Sequence, residues 1–219
     1  MTCCTMAVCA NAQIMRTEEL ETYAKERYGE KWKEAAENLA QELVLDKNNS
    51  LTYTQVIECG EQTKEQLYVA LNYWFTASFN DGDAVIQLND KESGTIIGKG
   101  FVKNIAYHEG GANIYSVHIS PIIRVDIKDY KIRVTYTIQN YEVDVIAGGG
   151  FWGAALGAAT SKSRQKWTLE NCYPFAEKDR TKKTSSKALV MAHAYSNVIM
   201  DKIEEAAKNG LVGNENDDW

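Results

Sequence analysis

Three histidines, at positions 108, 118 and 193, are the side chains best suited to move a proton near neutral pH. They lie far apart in the sequence, and His118 falls within "YSVHIS", which reads as a strand. The chain has no HExxH and no GxSxG, so neither the local zinc-hydrolase nor the local serine-nucleophile pattern is present. Three of the five cysteines (Cys3, Cys4 and Cys9) crowd the uncharged opening "MTCCTMAVCANAQ". The other two, Cys59 and Cys172, lack a CxxC neighbour or metal-ligand spacing, so no metal site is expected. In an oxidising compartment they are a candidate disulfide; otherwise they are two buried thiols. Asp126 and Asp129 straddle a turn and are explained by solvation. The expectation is no catalytic residue and no cofactor. A hydrolase of unrecognised type, its residues meeting only in space, is the enzymatic alternative.

A second kind of chemistry is suggested by "VIAGGGFWGAALGAAT" (145–160), sixteen residues without a charge. Gly149, Gly153 and Gly157 recur every four residues, and on a helix they would form a bare groove for close packing. Glycine at this density disfavours an isolated helix, so an apolar loop or small hairpin is the competing reading. Next come Lys162, Arg164, Lys166, Lys178, Arg180, Lys182, Lys183 and Lys187, eight basic residues against Glu170, Glu177 and Asp179. Such a run is either a solvated linker or a patch that attracts an anionic surface. Phe151, Trp152, Gly149, Gly153, Gly157, Lys182 and Lys183 are therefore the candidate contacts to a membrane surface or a partner. Trp74 and Tyr136 are candidates to line a ligand pocket, the alternative being that both are core.

The opening also suggests an address. Ala10-Asn11-Ala12 places small residues where a signal peptidase reads, after the modestly apolar Met6 to Cys9. A basic start is missing, so Met1 is expected to be an internal methionine of a longer leader or a misplaced start. Val8 disfavours lipidation at Cys9. The expected location is the periplasm or cell envelope. The net charge of −6 and pI near 5.2 argue against non-specific nucleic-acid binding.

These residues must be positioned by a single domain with extensions, given 219 residues, 44% of them hydrophobic. Leu20, Ala24, Tyr28, Trp32, Ala36, Leu39 and Leu43 recur at helical spacing, with Gly29 as a place to split the segment in two. Leu51 begins a strand that Gly60 stops. Thr63 and Gln66 form a capping box for a helix whose face is Leu67, Leu71, Trp74 and Ser78. Residues 84–103 suggest a hairpin turning through Lys91 to Gly94. Ile123, Val125 and Ile127, then Ile132, Val134, Tyr136 and Ile138, alternate with polar residues about a turn at Asp129-Tyr130. Pro121 should mark a strand start, edge or bulge. Leu189, Ala192, Ser196, Ile199 and Ile203 line a last helix closed by Asn209-Gly210.

"LTYTQVIECGEQTKEQLYVALNYWF", "GTIIGKG" and "VDIKDYKIRVTYT" together resemble a bacterial domain of unknown function with a TATA-binding-protein-like fold. The resemblance covers about residues 46–143 and the last helix. It implies an α+β fold: a curved antiparallel sheet covered on one face by two helices. It also implies export in bacteria related to Bacteroides, and it supplies no catalytic residues. The expected organisation is a leader remnant (1–12), a helical extension (13–45), the α+β domain (46–208) with a Gly-rich insert (145–165), and a polar tail (209–219). The expected function is a non-enzymatic binding or interaction module whose partner is a protein, a small ligand or an envelope component. The alternative is a peripheral membrane protein acting through the insert and the basic run.

Overall fold

The computed structural model describes residues 14–78, 85–173 and 179–210. In chain order the elements are α1 (Thr17–Tyr28), α2 (Trp32–Glu42), β1 (Leu51–Glu58), α3 (Lys64–Ser78), β2 (Val85–Asp90), β3 (Thr95–Lys99), β4 (Val102–Glu109) and β5 (Asn113–Ile119). They continue with β6 (Ile122–Lys128), β7 (Lys131–Ile138), β8 (Asn140–Ala147), α4 (Phe151–Ala155), β9 (Ser161–Thr168), α5 (Leu169–Cys172) and α6 (Asp179–Asn209). The leader remnant and the polar tail beyond Gly210 lie outside the described residues.

The expected single sheet is hydrogen-bonded as two antiparallel sheets, β1-β7-β6-β3-β2 and β4-β5-β8-β9. Three strands nonetheless run through both. β3 continues into β4 across Gly100-Phe101, β5 into β6 across Ser120-Pro121, and β7 into β8 across Gln139. Pro121 has no N–H to give a ladder, and at this corner its carbonyl accepts the Gly100 amide at 2.9 Å. Gln139 adds one residue to its strand. Buried positions therefore shift from Ile132, Val134, Tyr136 and Ile138 to Tyr141, Val143 and Val145, and both halves keep their apolar face on the core.

Helix α3 starts where the sequence places it. Thr63 N–H donates to Gln66 Oε1 at 2.9 Å, and Gln66 N–H returns to Thr63 Oγ1 at 3.4 Å. Asp129, read as a solvated turn residue, instead accepts the Lys64 amide at 2.8 Å and so ties the β6–β7 turn to the helix start. Asp126 is likewise not simply solvated, since it accepts from both Arg124 (2.8 Å) and Arg133 (2.8 Å). Burial raises the pKa of this carboxyl, but the two guanidinium partners outweigh that and hold it below the usual range.

The N-terminal helices are part of the core rather than an appendage. Gly29, at φ 100°, separates α1 from α2 in a backbone conformation that side chains avoid. Leu20, Ala24, Ala35, Ala36 and Leu39 are buried in the same cluster as the sheet residues. Their partner is α6, whose 31 residues span about 46 Å. The expected face of α6 is buried, but so are Ala188, Val190, Met191, Ala194, Tyr195, Val198 and Met200 around it, because α1 and α2 cover the side an amphipathic helix leaves wet. Lys187 on α6 pairs with Glu21 at 2.6 Å and lies 5.3 Å from the Trp32 ring.

Candidate functional site

The uncharged stretch from residue 145 forms the end of β8 and its connection to β9. Gly149, Gly153 and Gly157 do not share a helix, because α4 is only five residues long, Gly149 precedes it and Gly157 follows at φ 64°. The groove expected of their spacing is absent for that reason. Gly153 instead faces its own loop, where a Cβ would lie 2.6 Å from the Gly148 carbonyl carbon. Gly150 packs on the β4–β5 turn, where a Cβ would lie 2.8 Å from the Gly111 oxygen, and Gly111 packs equally closely on the Trp152 ring. Trp152 N–H donates to Gly111 O at 2.9 Å. Glycine here lets two loop tips approach backbone to backbone, and it clamps them together.

The clamp turns three large side chains outward. Phe151 is 66% exposed, Trp152 64% and Leu156 81%, and the two rings meet edge to face at 5.3 Å. Leu156 was not singled out from the sequence, although its place in the uncharged run was the available signal.

Behind the tip lies the open face of β5, β8 and β9. The basic run is not a linker: its first three members sit on β9, with Lys162 opposite Ile146, Arg164 opposite Asp144 and Lys166 opposite Glu142. Arg164 donates to Asp144 at 2.7 and 3.0 Å, and this guanidinium holds the carboxyl below the usual range. Lys182 and Lys183 belong to α6, and their side chains lie outside the described residues.

His118, 5% exposed, stands beside Asp144 with Nε2 at 3.3 Å from Oδ2. Its Nδ1 accepts the Asn104 amide at 3.0 Å, which places the ring proton on Nε2, facing the carboxylate. Asn104 has φ 53° within the irregular part of β4 between Val102 and Ala106, so the imidazole supports a bulge. Neither ring nitrogen is left to accept a substrate proton.

Residues 53–142, from β1 into β8, match the family model of a domain of unknown function (DUF4468) with TBP-like fold. The chain carries a DUF4468 domain. Its fold is TATA-binding-protein-like, an α+β arrangement of antiparallel sheets and helices. A TBP-like protein from Parabacteroides distasonis is similar in structure, with a TM-score of 0.51 and 15% identity over 75% of this chain and 97% of that one. A DUF4468 family protein from Bacteroides ovatus has a TM-score of 0.46 and 12% identity over 74% of this chain and 88% of that one. No curated protein matches the chain. The tip, β9 and α6 lie beyond the residues matched to DUF4468.

Within the DUF4468 domain, the two candidate pocket residues are core. Trp74 is 9% exposed on α3 and Tyr136 is fully buried on β7. Neither lines either of the two cavities described. One, of about 440 Å³, is bounded by Arg27, Tyr28, Asn38, Glu42, His193 and Asn197 between α1, α2 and α6. The other, of about 470 Å³, is bounded by Gln62, Glu65, Gln66, Val69, Asn209 and Gly210. The Tyr136 hydroxyl has no hydrogen-bond partner among the described residues. Tyr136→Phe is therefore expected to stabilise the protein by about 1 kcal/mol, since a buried polar group without a partner is removed. Urea unfolding checks this as a higher midpoint with an unchanged slope.

The candidate disulfide is not formed: Cys59 and Cys172 are both free and buried. Cys59 follows β1, near Glu204 and Lys208 at the end of α6, whereas Cys172 is on α5 near Tyr141 of β8. Burial pushes both thiols up, Cys172 to about 11. Among the described residues no cluster of His, Cys, Asp and Glu could hold a metal ion, and no helix is long and apolar enough to cross a membrane.

Proposed function

We propose that this chain is an exported, non-catalytic binding module whose contact surface is the β8–β9 tip. The observation that carries this reading is the exposure of Phe151, Trp152 and Leu156 together on one connection held by backbone contacts to the neighbouring turn. Exposed aromatics on a rigid support bind at small entropic cost. The open face beside them supports binding over catalysis. His118 is committed at both ring nitrogens, and Arg164 is held by Asp144. Export is supported by the uncharged opening with Ala10-Asn11-Ala12.

Photo-crosslinking in cells tests the reading. A photoreactive residue in place of Leu156 is expected to give adducts in the envelope fraction, while one at Tyr130, 54% exposed at another turn, gives none. Equal labelling at the two positions, or none at 156, would remove the tip as the contact surface.

A further inference from the structure

We propose that the tip seats in the interfacial layer of a lipid bilayer, with Trp152, Phe151 and Leu156 as its anchors. This names the partner class for the surface proposed above and rests on that reading. The area argues for a bilayer over a folded partner. Three such side chains at their observed exposures present on the order of 400 Å². A stable protein interface takes about 800 Å² from each side. A fluid interface needs no matching surface, and a protruding tip with an indole N–H suits the boundary between headgroups and acyl chains.

Charge points the same way. No charged residue occurs between Asp144 and Lys162, nor among Gly110, Gly111 and Ala112 of the turn clamped to the tip, so seating it desolvates no ion. The strand row at the base of the tip runs Glu109, Ile114, Ile146, Lys162, and the next row on the same face, two residues back, contains the Asp144–Arg164 pair. The charges at the base balance. Attachment is thus apolar and indifferent to salt, unlike the electrostatic attachment expected from the basic run alone.

Flotation of the full chain with phosphatidylcholine vesicles, at low and at high salt, tests the inference. The protein is expected to float at both. The double variant Phe151→Ala/Trp152→Ala should reduce the bound fraction about tenfold. Its far-ultraviolet circular dichroism and melting temperature should stay close to the parent's, because both side chains are largely exposed and the backbone hydrogen bond from Trp152 to Gly111 is kept. Lys162→Ala should alter binding less than about twofold. The inference is overturned if the intact protein stays unbound, if the double variant floats like the parent, or if binding needs anionic lipid and disappears with salt. It is also overturned if sedimentation shows a dimer that the double variant loses. Loss of flotation alongside protein adducts at position 156 would remove the bilayer and leave the binding module standing.

Discussion

Trp74→Ala is expected to lower the unfolding free energy by about 3–5 kcal/mol, the range for large aromatic truncations in a core. The indole is buried on α3, edge to face with Phe75 at 5.1 Å. Phe75 in turn packs on Gly98 of β3, where a Cβ would come within 2.7 Å of its ring. Removing the indole therefore opens a void in the core beside α3 and Phe75. Arg133→Ala makes the contrast. Its side chain is 55% exposed, and the carboxylate it bonds, Asp126, keeps Arg124, so the loss should stay under about 1 kcal/mol. Urea unfolding of both variants measures the difference. Equal losses would mean that the dry and wet faces are wrongly assigned.

The second large effect is expected from acid. Burial, together with the nearby Arg27 charge, lowers the pKa of His193 from 6.5 to about 4. Its Nδ1 lies 3.2 Å from the Tyr53 hydroxyl, its ring meets Tyr28, and Glu42 shares the cleft it lines. Between these two pKa values the unfolded chain binds a proton that the folded chain refuses. Stability is therefore full above about pH 6.5 and is lost as pH falls toward 4. Each pH unit inside the window is worth roughly 1.4 kcal/mol, so about 2 kcal/mol should be gone by pH 5. The lowered carboxylates, Glu21, Asp46, Asp90, Asp126 and Asp144, lose their contribution only as pH falls through and below the ordinary carboxylate range, mostly beneath this window. Unfolding at pH 7 and pH 5 should show this slope in the parent and a flatter one in His193→Gln. Parallel slopes would sink the assignment.

What was legible in the sequence was whatever depends on neighbours along the chain. The Thr63–Gln66 box, the split at Gly29 and the alternation through β6 and β7 are local signals, and each appears where expected. β9 was missed because "SKSRQKWT" lacks alternation: an edge strand exposed over Ser161–Lys166 has no dry face to encode. The one-residue shift at Gln139 looks ordinary until the strand is paired on both sides. His118 showed itself as a strand histidine, but its partners at 104 and 144 follow from a bulge and a register. The glycine spacing in the insert imitated a helix period. It served instead to bring two loops together, leaving Phe151 and Trp152 to be identified by their lack of charged neighbours.

The position of α6 in the chain has a consequence for how the protein is made. This helix covers the sheet and is itself covered by α1 and α2, yet it follows all of them in sequence. While the ribosome works, the strands and the N-terminal helices emerge with their apolar faces open, and their common partner is synthesised last. Until α6 has emerged, the core it shares with the sheet and with α1 and α2 cannot close. An open core is the state in which a polypeptide can be threaded across a membrane, and the state in which it most needs a chaperone.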